Sequence, residues 1–172
     1  MSTNTTRVTK IKVESFNYKD NKGKMFFMKG TNIVRLYGTR YLGRQNKTFD
    51  FEMVCTFKDG FMCDGASSPA LAKLVNIPKI KKGNNEYNAG AFIHDALYMH
   101  TGDFDDVSFS REECDDILRR IWVLSGLDPF WARVAYDAIR AVAGSKQHWG
   151  SDENDCKHLF SVKFTYKKEH KK

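Results

Sequence analysis

Cysteine is scarce in this 172-residue chain: Cys55, Cys63, Cys114 and Cys156 are the only four, and no two of them stand at a CxxC spacing. That argues against a disulfide framework and against metal binding by cysteine, and marks the four as reduced core thiols of a cytoplasmic protein. No secretory apolar segment precedes them, and no apolar run approaches the roughly 20 residues that a membrane span needs. Proline is rarer still. Its three residues punctuate the chain: Pro69 suits the first turn of a short helix, Pro78 lies in a Lys-rich linker, and Pro129 starts a helix. No internal repeat is present. What the chain does hold is 41% hydrophobic and 13% aromatic residues, which excludes a disordered protein and fits one domain with a real core. The net charge is +7, but its lysines are local, at Lys79 to Lys82 and Lys163 to Lys172. They read as a solvated face and tail, since no nucleic-acid motif accompanies them.

The hydropathy pattern divides residues 1–172, read as a single domain, into parts. Residues 1–6 are a frayed start, and residues 7–63 are β-rich. Ile11 and Val13 alternate with Lys10 and Lys12, and Asp20-Asn21-Lys22-Gly23 turns the chain into Met25 to Met28. A strand over Ile33 to Tyr41 has Gly38 as a weak point or bulge. The clearest strand is Phe49 to Phe57, with Phe49, Phe51, Met53, Cys55 and Phe57 on one face.

Residues 64–144 are helical. A short helix follows Ser67 and Pro69 to about Val75. A helix over Glu86 to His100 is apolar on most sides, and Thr101 to Phe109 is a loop. Ser110-x-x-Glu113 is a capping box, and Asp128-Pro129 opens a helix with Trp131, Val134, Ala135, Ala138 and Val142 as its stripe. Residues 145–172 hold a polar segment, a final strand from Leu159 to Tyr166 and the basic tail. The expected fold is therefore α+β, an N-terminal antiparallel sheet packed against a C-terminal bundle of about three to four helices.

The candidate site lies on two of these helices. His94 and Asp95 interrupt an apolar helix, and polar groups buried there must be paired, bound to an ion or facing a cleft. Tyr98, four residues on, shares the face of His94. On the next helix, at about 100° per residue, Asp115 falls on the shoulder of the stripe Cys114, Ile117, Leu118, Ile121, while Asp116 points away. One arrangement makes His94 a general base oriented by Asp115, with Tyr98 and Asp64 in support and Asp95 as ligand of a divalent cation, calcium or magnesium. The other makes the same residues a satisfied polar network that ties two helices together. A metal phosphohydrolase of the His-Asp type would need more histidines on neighbouring helices. His100, His148, His158 and His170 do not fall on the helix cores.

His94-Asp95-Ala96-Leu97-Tyr98 with Cys114-Asp115 looks like the helix pair of phospholipases of the A2 type, whose viral version carries Ala-Asp-x-x-Phe on the second helix. That resemblance implies calcium and a phospholipid or other ester substrate. Such enzymes place a Gly-rich calcium loop shortly before the histidine; here Asn76 to Asn88 offers only Gly83, and Asp64-Gly65-Ala66-Ser67 is the alternative oxygen-rich loop.

A longer resemblance runs through four ordered blocks. They are Gly60-Phe61-x-x-Asp64-Gly65-Ala66-Ser67-x-Pro69, Ala91-x-x-His94-Asp95-x-Leu97-Tyr98, Ser110-Arg111-x-x-Cys114-Asp115, and Ala132-Arg133-x-x-Tyr136-x-Ala138-x-Arg140-x-x-x-Gly144. Together they resemble the domain of unknown function 1353, a family of small proteins of bacteriophages and prophages. The resemblance implies a phage product in the host cytoplasm during infection or on the virion, with Asp64, His94, Asp95 and Asp115 as polar anchors. It leaves three functions open: a His/Asp hydrolase, a virion or assembly component bound to other virion proteins, and a host-directed, counter-defence binder.

Overall fold

The computed structural model describes residues 3–65, 77–142 and 149–171. The short helix expected up to Val75, the stop at Gly144 and His148 lie outside the described residues.

Alternating strands build the frame. β1 (Thr5–Ser15), β4 (Asn32–Leu42), β5 (Lys47–Phe57) and β9 (Phe160–His170) form an antiparallel sheet in the order β1-β4-β5-β9. On β5 the expected face is buried from Phe51 onward, with Phe51, Met53, Cys55 and Phe57 at 2% exposure or less, while Phe49 is only partly buried and packs on Tyr166. A smaller sheet joins β2 (Tyr18–Asn21), β3 (Met25–Met28) and β6 (Met62–Cys63) in the order β2-β3-β6. Order begins earlier than the polar start suggests: β1 opens at Thr5, and the buried Thr6 hydroxyl donates to Glu113 at 2.7 Å. Gly38 does mark a bulge, but in its partner strand. The irregularity falls between Val8 and Lys10, and a Cβ at Gly38 would sit 1.9 Å from the Arg7 carbonyl oxygen, a space that no side chain can share.

Two expectations change at the C-terminal half. Residues 167–170 are not a free tail, because β9 carries the expected final strand on past Tyr166 along the edge of the sheet. There Lys167 pairs with Glu52 at 3.0 Å and Glu169 with Lys47 at 3.2 Å. Lysines on an edge strand oppose pairing with a second chain, so the basic composition serves the sheet itself. The segment Thr101 to Phe109 is not an open loop either. It folds into a hairpin, β7 (Asp103–Phe104) and β8 (Val107–Ser108), because Val107 and Phe109 bury themselves while Asp105 and Asp106 make the turn.

Three helices are described: α1 (Asn85–Met99), α2 (Arg111–Leu124) and α3 (Pro129–Val142). Asn84 caps α1, accepting from the Tyr87 amide at 3.0 Å, and its own amide donates to the Ser125 carbonyl at the far end of α2. The capping box of α2 forms in both directions, Glu113 N–H to Ser110 Oγ at 3.2 Å and Ser110 N–H to Glu113 Oε2 at 3.0 Å. The helix ends in a Schellman motif, with Leu127 N–H on the Trp122 carbonyl and Gly126 N–H on the Val123 carbonyl. Helix α3 turns differently from the expected stripe. Ala132 and Ala135 are the fully buried positions, whereas Trp131 is 45% exposed and, among the described residues, its ring packs only on the neighbouring Phe130 ring.

The main core lies between the large sheet and α1, where the ring of Phe92 meets Phe16, Phe57 and Phe61. A second cluster stacks Tyr87 on Trp122, with Leu118 and Ala135 beside them. Helix α1 is therefore enclosed by the sheet on one side and by α2 on another. The polar side chains on its enclosed faces, Asn88, His94 and Asp95, are turned toward specific partners.

Candidate functional site

The position of His94 begins with Gly90, one turn earlier on α1. A Cβ at Gly90 would lie 3.0 Å from Ile121 Cγ2 and 3.3 Å from Leu118 Cδ1 of α2. Glycine lets the two helices close together there, so one turn further on the His94 ring reaches across to α2. Its Nε2 lies 2.8 Å from Asp115 Oδ1. The Tyr98 hydroxyl donates to the same oxygen at 2.5 Å, and the Tyr98 and His94 rings are in contact, with centroids 4.3 Å apart. The other carboxylate oxygen accepts from Arg140 Nη1 of α3 at 3.0 Å. Asp116 faces outward and is held by Arg119 and Arg120, as the helix geometry requires.

Asp115 is 1% exposed, and its side chain touches three donors from α1 and α3. Burial alone pushes a carboxyl upward, but here the hydrogen bonds from His94, Tyr98 and Arg140 outweigh it and hold Asp115 below its ordinary value. The Tyr98 phenol is raised by burial and by the adjacent carboxylate, so it stays a donor at any working pH. With Nε2 of His94 engaged, Nδ1 makes no hydrogen bond to a described residue and is the nitrogen left to take a proton. His94 is the least enclosed of the pair, its side chain 13% exposed against none for Asp115.

Asp95 faces the other way, toward β6. Its carboxylate, the Asp64 carboxylate and Cys63 Sγ lie within 4.8 Å of one another. Burial and the neighbouring Asp64 charge raise the Asp95 carboxyl well above its ordinary value, against the pull of the Cys63 thiol and the Asp64 backbone N–H. Burial likewise pushes the Cys63 thiol up, and its sulfur accepts from the Gly65 N–H at 3.2 Å.

The structure thus brings His94, Tyr98 and Asp115 together and sets Asp64 beside Asp95 in a second cluster one residue away. The turn at Asp64-Gly65, remote in sequence, brings the Asp64 carboxylate to Asp95. Ala66 and Ser67 of that turn lie outside the described residues. Two groups exceed the sequence expectations. Cys63 joins the carboxylates although its spacing to other cysteines gave no sign of it. Arg140 reaches Asp115; its signals were its helical spacing from Arg133 and Tyr136 and its place in the fourth resembling block, neither of which points to a partner. His100 and His170 turn to the Lys157 carbonyl and to Asp50 respectively, away from both clusters.

Fold and site together define an α+β protein in which three helices converge on one buried carboxylate at the back of a four-stranded sheet. The model of the family described as a protein of unknown function, DUF1353, matches residues 44–139, which include Asp64, His94, Asp95, Tyr98 and Asp115. The chain belongs to that family. No curated protein and no solved structure matches it.

Proposed function

We propose that this protein is a phage-encoded hydrolase of the His/Asp type that cleaves an ester, with phospholipids as the leading candidate class. The observation that carries the reading is the 2.8 Å contact between His94 Nε2 and an Asp115 carboxylate that is itself sealed from water. A charged, immobile carboxylate fixes the N–H on Nε2. That leaves Nδ1 as the basic nitrogen, able to take a proton from water as it attacks a carbonyl carbon and to return it to the leaving alkoxide. Tyr98 and Arg140 keep Asp115 ionised while the imidazolium forms.

A divalent cation at Asp95 and Asp64 belongs to the same proposal. The donor set fits a cation in one respect: two carboxylates that repel each other, one of them raised by burial and by the other, favour a positive charge between them. The Cys63 sulfur suits magnesium and calcium poorly, since both prefer oxygen, so Asp64 and Asp95 are the residues that would hold either ion. A bound cation there would supply positive charge on the β6 side of α1, where it would neutralise the two carboxylates.

The decisive assay measures hydrolysis of phospholipid vesicles and of soluble esters, with divalent ions and with chelator, by the wild type and by His94→Ala. The expected loss is about 10³-fold with the fold intact by circular dichroism. Turnover unchanged in His94→Ala would overturn the reading. One observation favours a second function, that of a virion or assembly component. Leu124, Phe130 and Trp131 are 40%, 65% and 45% exposed around the α2–α3 turn, an apolar edge of the kind that partners cover. Co-purification with particles, together with absent hydrolysis, would support it.

A further inference from the structure

The run Lys79 to Lys82, whose composition reads as a solvated face, is pinned to α1 at two points. The Tyr87 hydroxyl donates to the Pro78 carbonyl at 2.7 Å. Three residues on, the fully buried Asn88 clamps the backbone of Lys81, accepting from its N–H at 2.8 Å and donating to its carbonyl at 3.1 Å. The pinned segment forms one wall of an open groove of about 480 Å³, within the roughly 300–1,000 Å³ typical of small-molecule sites. Tyr18, Phe26 and Ile80 give this groove its apolar lining, and Lys79 and Lys82 supply its cations. Gly65 lets the wall close: a Cβ there would lie 3.0 Å from Lys79 Cβ and 3.1 Å from Phe26 Cε2, at a φ of +82° that side chains rarely adopt.

The polar groups of the groove are not satisfied by one another. Neither lysine ammonium makes an ion pair with a described residue. Asp20, the one carboxylate in the lining, accepts from the Gly23 N–H at 2.7 Å and caps its own turn. The Tyr18 hydroxyl oxygen accepts from Asn88 Nδ2 at 3.3 Å, which leaves the phenol proton without an acceptor among the described residues. Two cations and a spare hydroxyl proton beside aromatic and aliphatic surface complement a ligand with an anionic head and an apolar body.

We propose that this groove binds a single-chain anionic amphiphile, its phosphate or carboxylate head on Lys79 and Lys82 and its chain along Tyr18, Phe26 and Ile80. The head makes charge-assisted contacts with ammonium groups that otherwise face water, and the chain covers apolar surface. An ion pair at an open surface contributes little by itself, so both halves of the ligand are needed. None of the lining residues belongs to the His94–Asp115 pair, and the binding stands whether or not the hydrolase reading does.

The test titrates n-octyl phosphate and octanoate, each below its micelle concentration, into the full-length protein and follows backbone amides and the Ile80 methyl groups by NMR. Saturable shifts are expected at Gly23, Gly65 and Ile80, with inorganic phosphate and octyl glucoside, each lacking one half, binding about tenfold more weakly or worse. Replacing both cations, Lys79→Gln with Lys82→Gln, should weaken binding by about tenfold, and Tyr18→Phe by about threefold. Lys81→Gln removes the same charge next door but does not touch the lining, so it should bind as the wild type does. Tighter binding of octyl phosphate points to a lipid phosphate and tighter binding of octanoate to a fatty acid; both support the site. No saturable shift with either amphiphile, wild-type affinity in the double variant, or an equal loss in Lys81→Gln overturns the proposal. So does octyl glucoside or inorganic phosphate binding as tightly as the amphiphiles. His94→Ala is expected to bind normally, which separates this claim from hydrolysis.

Discussion

His94 and Asp95 are neighbours on α1, yet the two sides of the helix they face treat a carboxylate in opposite ways. Toward α2, Asp115 is buried among donors, His94, Tyr98 and Arg140, and is held ionised. Toward β6, Asp95 is pressed by burial against the Asp64 charge and the Cys63 thiol, and is held toward its neutral form. The difference teaches that burial alone does not decide ionisation. The balance of donors to like charges decides it, and a single helix turn suffices to reverse that balance. One side is a finished network suited to orienting an imidazole. The other sets two carboxylates and a thiol against one another.

The comparison can be broken most forcefully from the Asp115 side. Asp115→Ala leaves the Tyr98 hydroxyl and the Arg140 and His94 N–H groups without an acceptor, and should cost about 3 kcal/mol in urea unfolding and all hydrolysis. The pH dependence follows from the lowered value. Because Asp115 ionises more readily folded than unfolded, its stabilisation is present above the ordinary carboxyl range and is lost as pH falls through the lowered folded value. Acid unfolding of the wild type should therefore be steeper than that of Asp115→Asn. Next in size, Tyr98→Phe removes a single buried donor to a charged group, for a loss of about 2 kcal/mol.

On the opposite side the sign reverses. Asp95 binds its proton more tightly folded than unfolded, so its contribution is full below the ordinary carboxyl range and declines as pH rises through the raised folded value. Asp95→Asn should stabilise the cation-free protein by about 1 kcal/mol at neutral pH and abolish any rise in Tm on adding calcium or magnesium. The smallest effect belongs to the spacing between the helices. In Gly90→Ala the gain of about 1 kcal/mol in helix propensity should nearly cancel the crowding at Ile121. Stability then changes little, while hydrolysis drops about tenfold as the His94–Asp115 contact lengthens.

Periodicity made most of this frame legible. The strict alternation on β5, the capping box at Ser110 and the pairing of Asp128 with Pro129 each reflect a local rule, and each formed as written. Asp115 was distinguishable from Asp116 because helix geometry alone separates an inward from an outward carboxylate. The alternation over Leu159 to Tyr166 made the last strand legible, whereas its extension to His170 and the short Asp103 to Ser108 hairpin were not, because both are set by packing rather than by pattern. Trp131 was misplaced for a related reason: which face of α3 is covered depends on what packs against it, which no stripe encodes. The juxtaposition of Cys63 and Asp64 with Asp95 spans about thirty residues and two sheets' worth of packing, and Arg140 approaches from a third helix. Tertiary placement, not spacing, created both.

One experiment reads the two sides together: a carbon-13 NMR pH titration of the aspartate carboxyls in the cation-free protein, assigned through Asp95→Asn and Asp115→Asn. The account predicts that Asp115 titrates below the ordinary aspartate value and Asp95 well above it, with calcium or magnesium pulling Asp95 back down. Two unperturbed titrations, or Asp115 as the higher of the pair, would contradict it.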